Sequence, residues 1–563
     1  MADLIDVPQD QPTSDKPNEP RVAWLHPHTM ITAWVMKSLR IFLEQNWGDS
    51  MRQRMQPLLN ITETKFRDPR LLIGINNQWP CPLIEANIGD TIVINLTNQL
   101  GNQTTGLHFH GLTQTNTPFM DGPTGVTECS IIPNVTFKYQ FTVDTPGTYW
   151  YHSHAPGQYP DGLRGPMVIH DPNDPYLGQY DDDYILYHNQ SIPLVQEMLS
   201  PDNTAFQPPI PDNITVNDGY DFNLSMNKTK TYRIRLINVS ALSSAMIHFD
   251  SHNMSVIMID GQYVKRQDAS QLRAAAGQRY DFLLTANAND TGNYPYLVSL
   301  DLNEDYTNTT VTQRWAFNHT GYLITDSSAS TTKKDVAIWD PYDKLVVLNF
   351  SFGFDENDIP RAFFNNLSYV GQKVPTLYTA VTTGESNTNP VIYGQVNPFI
   401  INTNEVVQIV VNNFDSGTHP FHLHGHHFQV LRRAPSWAGV WPGRDENYTA
   451  VPVRRDTVTV QPGSYAVLRY RATNPGTWLF HCHIEWHVEM GLTATMIEGP
   501  DVLRTLTIPE DHIAACNAAG TPTAGNAAGN TVNYTDTTGM ETVAPVVYTG
   551  ATYTGSATKR RKD

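Results

Sequence analysis

The sequence predicts an all-β chain of several β-sandwich domains, and three observations carry that expectation. From Leu71 onward, short runs of β-branched and aromatic residues recur at even spacing, parted by Asn, Asp, Gly and Pro. That is the pattern of strands joined by tight turns. Two distant segments repeat each other: Gln140-Phe-Thr-Val-Asp-Thr-Pro-Gly-Thr-Tyr-Trp-Tyr-His152 parallels Leu468-Arg-Tyr-Arg-Ala-Thr-Asn-Pro-Gly-Thr-Trp-Leu-Phe-His481. The length of 563 residues exceeds one domain, and three or four are expected.

Residues 1–56 show no strand alternation and read as an unassigned leader. Met1 to Pro20 is acidic and polar, without the pattern of a secretory signal. The apolar stretch Met30–Leu43 is interrupted by Lys37 and Arg40, each costing about 2.5–3.5 kcal/mol at a bilayer centre. It reads as a short amphipathic segment, and no stretch reaches the length of a membrane span. A first β block spans 57–172, with strands expected at 71–75, 91–96, 137–143 and 149–152. A second block, 173–325, has its clearest strands at 232–239, 254–260 and 279–284. It contains no His-x-His pair and reads as a spacer that also walls the substrate site. The Ser/Thr-rich segment Asp326–Lys334 links it to a third block, 335–516, with strands at 345–350, 406–412, 428–431 and 465–471. The tail, 517–563, is rich in Ala, Gly and Thr and is expected to be disordered.

The formal charge of −18 argues against a nucleic-acid partner and favours cations near the surface. More than a dozen Asn-x-Ser/Thr sequons, among them Asn60, Asn134, Asn213, Asn308 and Asn447, fit a glycosylated, secreted or cell-surface protein.

The chemistry is concentrated in histidine. With 20 His in the chain, chance gives about 0.7 His-x-His pairs when matches are counted; there are six. Four matter most: His108-Phe-His110, His152-Ser-His154, His422-Leu-His424 and His481-Cys-His483. In a strand, alternate residues share a face. His481 and His483 therefore point one way and Cys482 the other, so one strand can serve two metal centres back to back. A thiolate with two imidazoles and a weak or missing axial ligand is the trigonal blue-copper set. Cys482 and His487 supply two of its strong ligands, and the third comes from the stretch His419-Pro-Phe-His422-Leu-His424-Gly-His426.

These four motifs, in this order, resemble those of the multicopper oxidases, the family of laccases, ascorbate oxidases and cell-surface ferroxidases. The resemblance runs from Leu71 to Asn533 and is closest to the fungal branch. It implies three cupredoxin-like Greek-key sandwiches and four copper ions. By position, His419, Cys482 and His487 resemble the type 1 ligands. His108 and His422 resemble the type 2 ligands; His110, His152, His154, His424, His481 and His483 resemble those of the type 3 pair. The axial position falls on Leu492, which cannot ligate, Met490 lying two residues too early. A missing axial ligand should raise the type 1 potential. The resemblance also pairs Cys129 with Cys516 and leaves Cys81 as a buried thiol. It makes Glu485 and Asp121 proton donors for reduction of O2 to water.

The reductant is read less directly. A soluble chain favours laccase-like oxidation of phenols or aromatic amines. Asp415, in Asn-Phe-Asp-Ser-Gly-Thr-His419, resembles the acid that iron-uptake ferroxidases set beside the type 1 histidine for Fe2+, an activity that would bring an iron permease as partner. A second acid falls near Glu304 or Asp305. A third is missing: Tyr184-Ile-Leu-Tyr187-His188 runs straight through where relatives carry an acid and Trp, and neither Ile185 nor Gln190 can replace it. The first expectation is therefore a laccase-like oxidase, with ferroxidase as the alternative. A non-catalytic copper carrier has no use for the eight further imidazoles.

Overall fold

Period-two alternation of apolar and polar residues folds each block into a pair of facing sheets. In Thr91–Gln99, Ile92, Ile94 and Leu96 point inward while their neighbours face solvent. In Thr136–Thr142, Phe137, Tyr139 and Phe141 do the same. The computed structural model describes residues 36–43 and 72–543, apart from 192–210, 212, 220–221, 288–293, 302–322, 325–336, 445–447 and 449.

Among the described residues there are six sheets, two per block. The first block pairs a sheet ordered Leu72–Ile75, Met36–Leu43, Thr91–Gln99, Thr136–Thr142 with one ordered Ile84–Asn87, Arg164–His170, Gly147–Ser153, Leu107–His110. In the third, a six-stranded sheet centred on Val406–Asn413 and Tyr465–Arg471 faces a five-stranded sheet. The latter is ordered Pro398–Ile401, Thr493–Glu498, Gly476–Cys482, His419–Leu423, Thr457–Val460. The first block has its own core, whereas the second and third share one, from Ile234 and Phe282 to Phe421 and Phe480.

A disulfide joins Cys129 to Cys516 in the helix Glu510–Ala519, across 387 residues. It is buried with Phe119, Leu377, Tyr378 and Ile497 and ties the first block to the end of the third. Closing so long a loop restricts the unfolded chain. Replacing both cysteines by Ala is expected to lower unfolding stability by up to about 6 kcal/mol, read from denaturant titrations of the two proteins. Cys81 is a buried thiol that donates to the Gly162 carbonyl.

The structure departs from the sequence reading in two places and agrees with it in a third. The leader is not free of strand: Met36–Leu43 lies between Leu72–Ile75 (parallel) and Thr91–Gln99 (antiparallel), because a sheet edge accepts backbone whatever the side-chain pattern. The tail is ordered to residue 543. Buried Asn526 donates to the Tyr534 and Asp536 carbonyls, and Gln372 and Gln395 donate to those of Glu541 and Val543. Local amide scaffolding thus overrides a disorder-like composition. The Tyr184–His188 segment is the middle of an unbroken strand, Asp182–Ser191, in which Ile185 pairs with Arg235 and packs on the core. No carboxylate follows Asp183 in that strand.

Glu304, Asp305, the 326–334 linker and the sequons at Asn60, Asn308 and Asn447 lie outside the described residues. No helix among the described residues is long and apolar enough to cross a membrane.

Candidate metal centre

Strand register builds the site. In the first block His108 pairs across the sheet with His152, and His110 with Trp150. Alternation keeps His108 and His110 on one face. In the third block His422 pairs with His481, and Phe421 with Cys482. His422 and His481 therefore share one face, while Phe421 and Cys482 share the other. Gly425, with φ +69°, turns the chain after His424; a Cβ there would lie 2.4 Å from the Trp478 ring, so no other residue fits. His426 turns away from the cluster and donates to Glu498 Oε2 at 2.7 Å.

The two histidine faces meet at the interface between the first and third blocks. His110, His152 and His483 bring three donor atoms within 4.8 Å of one another, and so do His154, His424 and His481. His108 and His422 close a third group with His110. Several rings have one nitrogen engaged on the outside. His108 Nδ1 donates to the Asp121 carbonyl at 2.7 Å, His152 Nδ1 to Ser153, His422 Nδ1 to Asp456 and His481 Nδ1 to Cys482, each at 2.9 Å. The Nε2 atoms of His108, His152 and His422 are buried without a hydrogen-bond partner. His481 Nε2 stands 3.0 Å from His424 Nε2, and His483 Nε2 is 3.1 Å from His110 Nδ1.

Burial first, then neighbouring histidines, pushes His110, His152, His424, His481 and His483 well below the usual imidazole pKa, and His154 to about 3. Neutral rings with converging lone pairs are what a cage for several metal ions requires.

On the reverse face, Cys482 Sγ lies 3.4 Å from His487 Nδ1 and 3.8 Å from His419 Nδ1. Cys482 ends its strand, and His487 comes from the short helix Glu485–Glu489 that follows. Leu492, fully buried, accepts the Cys482 amide on its carbonyl and offers no side-chain donor. Asp415 Oδ2 accepts from His419 Nε2 at 2.9 Å and from the Gly417 amide at 3.0 Å. Burial opposes ionisation of Asp415, but the His419 contact and the Gly417 amide hold its carboxyl at about 2.

Two further acids border the cage. Asp121, fully buried, accepts from His424 Nδ1 at 2.8 Å, so it orients histidines from both blocks. Glu485 accepts the Gly157 amide at 2.7 Å; burial, then the neighbouring Glu489, raises its carboxyl well above the usual range. A small cavity lined by His152, His154, His481, His483, Glu485 and Glu489 lies beside it.

Sequence reasoning missed Asp456 and Thr457. Asp456 Oδ1 is 3.4 Å from His110 Nε2, and Thr457 Oγ1 is 3.3 Å from the same atom. Neither has metal-ligand spacing, so only the fold reveals them. The second block is also more than a spacer, because its Gly277 backs the rings of His110 and His483.

The donor sets fit copper: a buried thiolate-capable sulfur with two imidazoles on one face, and eight converging imidazoles on the other, those of His108, His152 and His422 with an Nε2 that has no hydrogen-bond partner. Fold and site together define a β-sandwich protein built to hold copper in two back-to-back centres.

Known proteins agree. Family models described as multicopper oxidase match residues 60–174, 183–320 and 369–502. The iron transport multicopper oxidase fetC of Epichloe festucae is 43% identical over 523 residues, covering 86% of this chain and 82% of the relative. The iron transport multicopper oxidase FET3 of Gibberella zeae is 42% identical over 518 residues, with the same coverage. Among solved structures, Fet3p, a multicopper oxidase that functions in iron import, superposes with a TM-score of 0.77 at 32% identity, covering 90% of this chain and 98% of that one. The laccase from Botrytis aclada gives 0.67 at 25%, covering 87% and 92%. The chain belongs to the multicopper oxidase family.

Proposed function

We propose that this oxidase is a ferroxidase, taking electrons from Fe2+ at the Asp415–His419 edge and delivering them to O2. The observation that carries the reading is the 2.9 Å contact between the Asp415 carboxylate and His419 Nε2. An ionised, nearly buried carboxylate is an oxygen ligand for a hard cation, and here it touches an imidazole of the Cys482 set. The iron-transport relatives support the same choice. The order suggested by the sequence, aromatic reductant first and Fe2+ second, is reversed.

His419, Cys482 and His487 would hold one copper ion, His108 and His422 a second, and the two His triads a pair. Bound copper would supply one-electron acceptance at the first site and four-electron reduction of O2 in the cage. The protein's own residues do the rest. Asp415 seats the cation against His419. The backbone from Cys482 to His481 and His483 joins the two faces covalently. Glu485, kept protonated by burial, holds a proton beside the cavity, and Asp121 fixes His424 and His108. Leu492 offers that first site no side-chain donor, and copper held by His419, Cys482 and His487 alone would have a high potential. Fe3+ as product suits a cell-surface or extracellular enzyme with an iron permease as partner.

Side-by-side kinetics of the purified enzyme with Fe2+ and a diphenol test the reading. Asp415→Asn is expected to lower kcat/KM for Fe2+ about 10–150-fold, the equivalent of about 1.5–3 kcal/mol for a contact to a charged group. With the diphenol it should change no more than about 3-fold, since an aromatic ring needs no carboxylate ligand. A higher kcat/KM for the diphenol than for Fe2+ in the unaltered enzyme would restore the laccase reading.

A further inference from the structure

We infer that the second domain is a working wall of the metal cage, and that Arg279 is a positioning residue acting through Asp456 on His110 and His422. The inference rests on the assignment of those histidines to the cage.

Arg279 begins the strand Arg279–Thr285 in the middle block, and its side chain is fully buried. It grips Asp456 of the third block with two parallel bonds, Nη1 to Oδ1 at 2.7 Å and Nη2 to Oδ2 at 2.6 Å. Its Nε donates to the Thr148 carbonyl of the first block at 3.1 Å. One guanidinium thus touches all three domains. A planar, bidentate fork fixes both position and orientation of a carboxylate.

What that carboxylate does next is visible in its contacts. Asp456 Oδ1 lies 3.4 Å from His110 Nε2 and 3.5 Å from His422 Nδ1, and the Asp456 carbonyl accepts from His422 Nδ1 at 2.9 Å. An acceptor at His110 Nε2 keeps the proton there and leaves Nδ1 bare, and Nδ1 is the atom 3.1 Å from His483 Nε2. An outer acceptor that selects the tautomer of a metal ligand acts on affinity as well as geometry. Asp260 reinforces the arrangement from the same domain, accepting Arg455 Nε at 2.8 Å and the Thr457 amide at 3.3 Å. Segment 455–457 is therefore pinned from the middle domain on both sides of Asp456. Gly277, with φ +82°, completes the wall: a Cβ there would come within 2.9 Å of His110 and 3.0 Å of His483.

The test is copper retention by the full-length holoenzyme against a graded chelator, with the blue absorbance of the Cys482 site and the paramagnetic resonance signal of the type 2 ion followed together. Arg279→Gln is expected to weaken copper retention in the cage about 10–100-fold and to diminish the type 2 signal, while the blue absorbance stays. Arg279→Lys, which keeps the charge but not the fork, should recover only part of the loss. Gly277→Ala should disturb the same signal without removing a charge, which keeps the inference testable if Arg279→Gln fails to fold. Arg233→Gln is the control, since Arg233 is an equally buried arginine that pairs with Asp174 and Asp281 inside the middle domain. It should lower stability and leave cage copper in the folded protein unchanged.

Unaltered cage copper and type 2 signal in both Arg279→Gln and Gly277→Ala would overturn the inference. Equal loss in Arg233→Gln, or loss of the blue absorbance in step with the cage, would reduce Arg279 to a structural role and overturn it too. If the unaltered protein retains only the blue copper, the cage assignment itself fails and this inference fails with it.

Discussion

Cys482→Ser is expected to bleach the copper-loaded protein and to stop turnover with every reductant. Cys482 is fully buried, with its sulfur 3.4 Å from His487 and 3.8 Å from His419. The thiolate is the metal ligand, and a serine hydroxyl stays protonated at neutral pH and cannot replace it. Loss of an outer partner of a metal site costs about 10–100-fold; loss of this ligand should cost more, at least about a thousand-fold in O2 uptake with Fe2+ or a diphenol. The fold should survive, because serine is nearly isosteric and the opposite face of the strand is untouched. Copper in the histidine cage should therefore remain. Residual turnover above a tenth of the unaltered rate would mean that electrons enter elsewhere.

Acid is expected to unfold the metal-free protein steeply. Burial pushes His188 to about 3, and burial outweighing the pull of Asp456 takes His427 to about 4. Burial and then His108 bring His154 to about 3. In the unfolded chain each returns to about 6.5. Between these values the unfolded state binds more protons, so stability is complete above about 6.5 and is lost as pH falls towards about 3. Near pH 5 these three histidines alone give a slope of about 4 kcal/mol per pH unit, against a typical total stability of about 5–15 kcal/mol. Asp415, held at about 2 by His419 and Gly417 against the effect of burial, adds a loss of the same sign only below about 3.8. Urea midpoints at pH 7 and pH 5 measure the effect. Equal midpoints would show that these rings are solvated and titrate normally. Copper should leave over the same range, since its ligands must be deprotonated.

The histidine pairs are legible because alternation along a strand is local: two residues apart means the same face wherever the strand sits. That places His481 and His483 on one side of Cys482 before any coordinates exist. Local rules say nothing of Gly277 and Arg279, or of Asp456, which follows Arg279 by 177 residues; none shares a spacing with metal ligands. The same limit explains the leader and the tail. Met36–Leu43 is a strand because a neighbouring edge has unpaired backbone, and 517–543 is ordered because Asn526 and two glutamines find carbonyls.

By itself the sequence determined the all-β class, the donor chemistry and the back-to-back geometry around Cys482, since each depends on residue type and a two-residue period. Tertiary structure alone decided that the cage has three walls, and that acids from distant segments, Asp121 at His424 and Asp456 at His110, select histidine tautomers. Those are contacts between side chains hundreds of residues apart, and their energies exist only once packing has excluded water from between them.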